Sequence, residues 1–291
     1  MPFWLKNAGA AYCRLVQRLV DMLGDEGVLA YLDDLLLHSS DPDDHLRLLK
    51  LVFQAHQESG IKISAEKTHL FRQEVEYLGH LILEQGITLL PSYVNKITEW
   101  PLPTTGKELA AFLGFCGYYR EFLPGFATIT ANLNEVKNKR VLTWSQSMIE
   151  NFNTLKQMFV AAPCRAPPDF ASGPNLTIDF SMNTVGAVLS QEQKGAERFL
   201  GVKGRKCRPY ERNDHSSKGD KLALTYGLSK YSHILRLNEF VVITDSNTVL
   251  HWSTMKDPGG TVHRWLDYIQ QFNFTVQHRA GKYNTNADLI S

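Results

Sequence analysis

The sequence predicts a protein that combines α/β and α+β regions in three sections, residues 1–89, 90–165 and 166–291. Short apolar runs bounded by turns indicate strands in the first and last sections, whereas the middle section shows mainly helical periodicity. A proline-rich segment at 166–169 marks the start of the last section. A chain of 291 residues, 43 % apolar and 21 % charged, is long enough for more than one hydrophobic core.

The composition narrows the class of protein. With 20 glycines, 12 prolines and four scattered cysteines, the chain is neither collagen-like nor a disulfide scaffold, and it shows no zinc-ligand spacing. No apolar run reaches the length of a membrane span, so we expect a reduced intracellular protein, in the cytoplasm or nucleus, that is not secreted and has no membrane partner. Residues 1–89 hold 13 acidic and 8 basic residues, and the remainder is mildly basic. This split fits a carboxylate metal site with a basic track for phosphates, and it equally fits an ordinary solvated surface.

Apolar residues that recur every three or four positions over 8–23 predict the first helix. The run at 28–38 is too short and too apolar for an exposed helix, and the adjacent Asp33 and Asp34 interrupt it, which predicts a β-hairpin with both carboxylates at its turn. A helix over 41–58 is predicted by its Asp-Pro-Asp-Asp start and by the glycine that follows it. The section ends with a predicted short strand at 61–63 and a predicted hairpin at 77–88.

The later elements follow from the same patterns. Helices are predicted at 107–119 and 145–160 in the middle section. The last section alternates between strands and helices, which indicates a mixed sheet covered by helices. Its predicted strands are 176–179, 186–191, 240–244 and 274–278, and its predicted helices are 218–235 and 262–270. The basic stretch after the second of these strands shows no clear pattern.

Four aspartates of the last section lie at the edges of otherwise apolar elements, where an isolated charge is costly. Asp179 and Asp245 each end a predicted strand, so both can reach one end of a sheet. Asp220 begins a helix whose apolar stripe places its carboxylate on the core-facing side, and Asp288 lies in the terminal segment. Four such carboxylates suit two magnesium ions roughly 3.5–4 Å apart. Each of them alone also has an ordinary structural explanation as a helix cap or a first-turn residue.

Several motifs resemble a single family. Tyr31-Leu32-Asp33-Asp34 resembles the catalytic hairpin of reverse transcriptases, and Tyr77-Leu78-Gly79-His80 is similar to their primer-gripping hairpin. Residues 113–120 resemble their thumb. Motifs similar to those of ribonuclease H are Asp179-Phe180-Ser181, Thr244-Asp245-Ser246 and Asn286-Ala287-Asp288. The whole chain therefore resembles the reverse transcriptase and ribonuclease H region of a gypsy-type LTR retrotransposon or retrovirus, within a Pol polyprotein.

The resemblance implies a partial palm at 1–89, a thumb or connection at 90–165 and a ribonuclease H-like domain at 166–291. It implies that Asp33 and Asp34 are metal-binding carboxylates of a polymerase site whose third aspartate comes from a strand upstream. Since the chain begins at the template-contacting segment, we expect an N-terminally truncated palm without fingers. We therefore expect that polymerase activity is lost in this chain.

For the last section, the resemblance implies hydrolysis of the RNA strand of RNA–DNA hybrids with Mg²⁺, or Mn²⁺ as a substitute. The implied partner is such a hybrid or a template-primer duplex. The implied catalytic and metal-binding residues are Asp179, Asp220, Asp245 and Asp288, and Asp220 stands where the family carries glutamate. The candidate nucleic-acid-binding residues are Lys203, Arg205, Lys206, Arg208, Arg212, Gly79 and His80. Two alternatives stay open: the basic residues form a solvated loop, or the chain is an inactive relic that at most binds nucleic acid.

Overall fold

The computed structural model describes residues 7–24, 27–212, 215–250 and 260–279. The chain divides into two compact units, Met1–Gln73 and Glu74–Ser291. No helix within these described ranges is both long enough and apolar enough to cross a bilayer.

The first unit contains two helices that the sequence predicts closely. Helix α1 (Ala8–Leu23) and helix α2 (Pro42–Ser59) share a small apolar core. The side chain of Asp41 caps α2, because its carboxylate accepts hydrogen bonds from the backbone nitrogens of the next turn at 2.9 and 3.1 Å. Gly60 ends α2 in the left-handed region, at φ +69°. These caps are the signals that made α2 predictable.

The predicted hairpin of the first unit is present. Strands β1 (Val28–Tyr31) and β2 (Asp34–Leu37) pair antiparallel, with Tyr31 opposite Asp34. The turn therefore contains only Leu32 and Asp33, and Asp34 opens β2. Leu32 has φ +53°, a backbone conformation that side chains other than glycine and asparagine rarely adopt.

The predicted strand at 61–63 is wrong, because these residues form no regular structure. The backbone nitrogen of Ile61 donates to the carbonyl of His56 at 3.1 Å and thereby closes the end of α2. A 3₁₀ turn at Ala65–Lys67 follows. No strand among the described residues pairs with this segment, and a short apolar run forms a strand only when it finds a partner.

The second unit begins with a three-stranded antiparallel sheet and a group of helices. The strands are β3 (Val75–Tyr77), β4 (His80–Leu83) and β5 (Gly86–Leu89). The helices are α3 (Pro91–Thr98), α4 (Gly106–Tyr118), α5 (Phe126–Ile129), α6 (Ala131–Val136) and α7 (Gln146–Val160). The predicted helices at 107–119 and 145–160 are thus confirmed to within one residue.

The helices α3 to α7 and strand β5 share one apolar core. At its centre, the rings of Phe112 and Phe152 lie 4.5 Å apart between centroids. Leu89 is buried in the same core, so the small sheet belongs with the helices. The division of the chain therefore lies between Gln73 and Glu74, earlier than the expected section boundary at 89.

A five-stranded mixed sheet forms the last part of the second unit, in the order β10-β9-β6-β7-β8. Its strands are β6 (Asn175–Phe180), β7 (Thr184–Gln193), β8 (Ala196–Lys206), β9 (Phe240–Thr244) and β10 (Phe274–His278). Strands β6, β7 and β8 are antiparallel neighbours, whereas β9 runs parallel to both β6 and β10. The unpatterned basic stretch of the sequence is therefore largely strand β8, and its interpretation as a loop is wrong for Lys203, Arg205 and Lys206.

Helix α8 covers this sheet. The element runs over Ser216–Lys230, and a short helix α9 (Ser232–Leu235) continues it, so the single predicted helix at 218–235 is two. Its predicted apolar stripe is buried in the core against β6 and β7. Helices α10 (Asn247–Leu250) and α11 (Gly260–Ile269) complete the order.

Arg165 lies between the two cores of the second unit. Its backbone exchanges hydrogen bonds with Ile87 of β5, at 2.8 and 2.9 Å. Its side-chain Nε donates to the carbonyl of Leu200 in β8 at 2.7 Å, and its Nη1 lies 3.1 Å from a carboxylate oxygen of Glu121. One residue thus bonds to the small sheet, to the 3₁₀ turn at Arg120–Phe122 and to the large sheet.

Candidate active site

Asp179 and Asp245 lie at the same edge of the large sheet. The parallel register of β6 and β9 pairs Thr177 with Ile243, and two further residues along both strands lead to Asp179 and Asp245. Asp179 lies in β6 and Asp245 directly follows β9, and neighbouring strands lie about 4.8 Å apart, so the two residues lie at the same end of this strand pair. The sequence prediction that the two strand ends meet at one edge is confirmed by this topology.

Helix α8 brings Asp220 to this edge through a close contact at Gly219. A Cβ atom on Gly219 would lie 2.0 Å from Cε1 of Phe180, so a larger residue here would force the Phe180 ring or the helix to move. Phe180 directly follows Asp179. The backbone of Asp220 therefore lies over the strand end that carries Asp179.

A serine on the neighbouring loop orients the carboxylate of Asp220. The hydroxyl of Ser246 donates to Oδ2 of Asp220 at 2.5 Å. Ser246 follows Asp245, and its backbone nitrogen donates to the Thr244 hydroxyl at 3.1 Å. Ser246 and Gly219 were not predicted as site residues from the sequence, although each is adjacent to a predicted aspartate.

The electrostatic environment disfavours the charged form of Asp220. Burial raises the pKa of this carboxyl, and the nearby charge of Asp245 raises it further. The hydrogen bond from Ser246 and the charges of Lys221 and His215 act in the opposite direction, but the net pKa stays above its usual value. Burial and the nearby charge of Asp245 thus make the ionised form of Asp220 costly, a cost that a bound cation would reduce.

The donor chemistry of this edge fits a divalent cation, since Mg²⁺ prefers carboxylate oxygens. In the ranges that the structure describes, no three His, Cys, Asp or Glu side chains stand close enough together to hold a metal ion. Asp288, the fourth predicted ligand, lies outside the described residues. The carboxylates of Asp179, Asp220 and Asp245 are thus the kind of ligand that the predicted cation prefers.

The reverse transcriptase-like hairpin presents its aspartates differently. Asp33 and Asp34 are both exposed, and the flanking Tyr31 and Leu32 are 54 % and 55 % exposed. The described part of the chain brings no third carboxylate to this hairpin. The two aspartates are thus exposed at the tip of a hairpin whose strands pack in the core of the first unit through Val28, Leu35 and Leu37.

Three of the predicted phosphate-binding cations are engaged in ion pairs. Lys203 pairs with Glu121, and Lys206 pairs with Glu135 at 3.1 Å. Arg205 makes two hydrogen bonds to the carboxylate of Glu211, at 2.7 and 2.9 Å.

Arg208 and Arg212 follow β8. Arg208 donates to the hydroxyl of Tyr210 at 2.9 Å, and Arg212 is half-buried. Within the predicted basic cluster, Arg208 and Arg212 are therefore the residues that form no ion pair with a described carboxylate.

The pKa of Glu211 shows the strength of its pairing. Burial raises the pKa of this carboxyl, but hydrogen bonds from the Arg205 side chain and the Arg208 backbone outweigh burial and lower it overall. Glu211 is only 4 % exposed, so it must be ionised and paired to be accommodated.

Gly79 and His80 take part in packing at the turn between β3 and β4. The carbonyl of Gly79 accepts a hydrogen bond from the hydroxyl of Tyr119 at 2.9 Å. The ring of His80 stacks on Phe122 with 5.6 Å between centroids, and burial lowers the pKa of this imidazole. Both residues thus stabilise the hairpin, and their role in binding nucleic acid stays a prediction.

Comparison with known families agrees with this architecture. Residues 1–82 match the family described as reverse transcriptase (RNA-dependent DNA polymerase). Residues 144–242 match the RNase H-like domain found in reverse transcriptase, and this match includes Asp179 and Asp220. The chain thus combines a reverse transcriptase segment with an RNase H-like domain, two kinds of domain that generally depend on divalent metal ions.

Its relatives are Pol polyproteins of transposable elements. The chain is 31 % identical over 293 residues to the retrovirus-related Pol polyprotein from transposon 297 of Drosophila melanogaster, covering 100 % of this chain and 27 % of the relative. It is 29 % identical over 304 residues to the corresponding polyprotein from transposon opus of the same organism, covering 100 % and 30 %. The chain thus spans less than a third of the length of these relatives.

Solved structures share the fold. The foamy viral protease-reverse transcriptase in complex with dsDNA matches with a TM-score of 0.84 at 20 % identity, over 97 % of this chain and 60 % of that chain. The same viral protein in complex with RNA/DNA hybrid matches with a TM-score of 0.80 at 20 % identity, over 97 % and 39 %. The chain therefore shares the fold of these solved structures over nearly its whole length.

Proposed function

We propose that the RNase H-like domain of this chain hydrolyses the RNA strand of RNA–DNA hybrids with the help of Mg²⁺, for which Mn²⁺ can substitute. The observation that carries the proposal is the hydrogen bond from Ser246 to Asp220. It ties helix α8 to the loop after β9, and β9 pairs in parallel with β6, the strand that carries Asp179. The raised pKa of Asp220 supports the proposal, because burial, together with the nearby charge of Asp245, disfavours the ionised carboxylate, and perturbed pKa values of this kind cluster at functional sites. The solved relative in complex with RNA/DNA hybrid supports the substrate class.

Each residue has a defined task in this mechanism. Asp179, Asp220 and Asp245, together with Asp288, would hold the metal, which when bound supplies activation of a water and neutralisation of charge at the scissile phosphate. Ser246 holds the carboxylate of Asp220 in a fixed rotamer through its hydrogen bond. The hybrid is recognised through backbone shape and 2′-hydroxyl groups instead of base edges.

Asp33 and Asp34 are proposed as the two carboxylates that the reverse transcriptase segment contributes to a polymerase metal site. Asp33 lies in the two-residue turn and Asp34 opens β2. Both side chains are exposed next to the strained backbone of Leu32, which supports this role. The expectation that this chain does not polymerise stays a prediction, which primer extension on a template-primer duplex tests.

The first experiment incubates the full chain with a labelled RNA–DNA hybrid in Mg²⁺ and, separately, in Mn²⁺. We expect cleavage of the RNA strand by the wild type and none by Asp179→Asn. The matched control is Asp267→Asn, since Asp267 is an exposed aspartate of α11 in the same unit, remote from the three aspartates in sequence. Absence of cleavage by folded wild-type protein in either metal would reject the proposal and favour a relic that at most binds nucleic acid.

A further inference from the structure

A basic cavity of about 500 Å³ lies in the second unit between β8, α8 and the segment at 120–127. Five of the residues that line it are cationic, and among the described lining residues none is acidic. The cationic residues are Arg120, Lys203, Arg205, Arg208 and Lys230. Such a concentration of one sign of charge in a concave site favours an anionic ligand.

Pairing balances only part of this charge. Lys203 and Arg205 form ion pairs with Glu121 and Glu211, which do not line the cavity. Arg120, Arg208 and Lys230 form no ion pair among the described residues, although the charges of Arg120 and Arg208 help to lower the pKa of these two glutamates. Five cations therefore line the cavity against two nearby glutamates, so the cavity keeps a surplus of positive charge.

The rest of the lining suits a phosphodiester group. The ring of Tyr226 lies between two cations, with Cζ of Arg205 5.5 Å and Nζ of Lys230 5.6 Å from its centroid. Three residues with hydroxyl groups, Thr184, Thr225 and Ser229, also line the cavity. The hydroxyls of Thr184 and Thr225 are hydrogen-bonded to Ser181 and to the Lys221 carbonyl, and Ser229 is exposed. Arginine, lysine and hydroxyl side chains together are the groups that contact nucleic-acid backbones in protein complexes.

The cavity is connected to the aspartates by helix α8. Asp220 is the fifth residue of this helix, and the cavity begins half a turn later, at Leu222, and extends to Lys230. Ten residues of helix correspond to about 15 Å. Since a duplex advances about 3.4 Å per nucleotide along its axis, this length corresponds to about four nucleotides.

We propose that the basic cavity binds phosphodiester groups of the hybrid up to about four nucleotides from the phosphate held at Asp220, with Arg120 and Lys230 as contacting cations that were not among the predicted nucleic-acid-binding residues. The position relative to the scissile phosphate rests on the proposed function. Binding of the nucleic-acid backbone in the cavity does not depend on cleavage. Arg120 belongs to the helical region, so the site joins the two cores of the second unit.

The test measures binding of a fluorescent RNA–DNA hybrid to the full chain in EDTA, where cleavage cannot occur, over a range of salt concentrations. Removal of one phosphate contact reduces the slope of log K against log salt by about 1 and weakens binding equally for all sequences. We expect the slope to fall by about 1 in Arg120→Gln and by about 2 in the double variant Arg120→Gln/Lys230→Gln. Arg120→Lys keeps the positive charge and is expected to keep the slope. The matched control is Arg140→Gln, an exposed arginine that does not line the cavity.

Arg120 and Lys230 are exposed, so their variants are expected to fold, and thermal unfolding checks this. A double variant with the same slope and affinity as Arg140→Gln would overturn the proposal. A second result would also overturn the proposal: the wild type binds inorganic phosphate, and the double variant loses this binding but keeps the salt slope of hybrid binding. The cavity would then be a site for a free anion. A reduced slope in a protein that cleaves no hybrid would support the cavity and reject only the proposed function.

Discussion

Two groups of aspartates in this chain contrast in how they are held. Asp33 and Asp34 are exposed on a hairpin with no described third carboxylate near them. Asp220 is half-buried, bonded to Ser246 and destabilised by the charge of Asp245. Asp33 and Asp34 thus form an open group, exposed to solvent, whereas Asp220 and Asp245 form a supported group, in which neighbouring residues hold the carboxylate. A sequence motif alone therefore does not establish a functional site. Support by neighbouring residues makes the second group the stronger candidate.

The largest effect is expected from removing a charge in the supported group. Asp245→Asn keeps the size of the side chain but removes a predicted metal ligand. Displacing a catalytic group by about 1 Å can already lower the reaction rate about 100-fold. We expect hybrid cleavage to fall by about 100-fold or more in steady-state assays. Asp33→Asn is the matched change in the open group, and its cleavage rate is expected to stay within about twofold of the wild type. Equal losses in both variants would contradict the contrast.

The next effect concerns the close approach at Gly219. Gly219→Ala forces a methyl group into the ring of Phe180, and overpacking of this kind costs about 1–3 kcal/mol. We expect a lower thermal midpoint together with reduced cleavage, since the backbone of Asp220 must shift. Gly114→Ala in α4 is the control, because a Cβ atom added there would meet nothing within 4 Å and alanine stabilises a helix by about 0.5–1 kcal/mol. An unchanged midpoint for Gly219→Ala would show that the helix does not need this contact.

Loss of the buried ion pair at Glu211 is expected to be comparable or slightly smaller. Glu211→Gln leaves Arg205 without its charge partner and should lower the free energy of unfolding by about 2 kcal/mol near pH 7. The lowered pKa of Glu211 predicts a pH dependence, because its contribution is complete above the usual value of 4.5 and is lost as pH falls through the lower folded value. Urea unfolding at several pH values measures it. A difference between the two proteins that grows below pH 4.5 would refute this sign.

The smallest effect is expected for the positioning residue Ser246. Ser246→Ala removes one hydrogen bond to Asp220, worth about 1 kcal/mol, so cleavage should fall about fivefold. The metal concentration for half-maximal cleavage should rise, a change that a purely structural role would not produce. Ser246→Thr keeps the hydroxyl and is expected to restore both values. A rate loss without any change in metal dependence would assign Ser246 to stability alone.

The sequence predicted the elements whose signals are local. Helix α2 carries its own caps, at Asp41 and Gly60, and the strand ends at Asp179 and Asp245 follow from short apolar runs. Strand β8 was missed because its cations are balanced by glutamates from elsewhere: Glu121 is separated from Lys203 by 82 positions. The link between Ser246 and Asp220 was missed for the same reason, since 26 positions separate the two residues.

Arg165 has a consequence for how the second unit unfolds. Because it bonds to the small sheet, to Glu121 and to the large sheet at once, the two cores share an interface that opens only when all of these bonds break. We therefore expect a single cooperative transition in calorimetry for Glu74–Ser291, without an intermediate in which one core is melted. Proteases should accordingly find no cleavable linker near residue 165, although the proline-rich sequence there predicts a boundary.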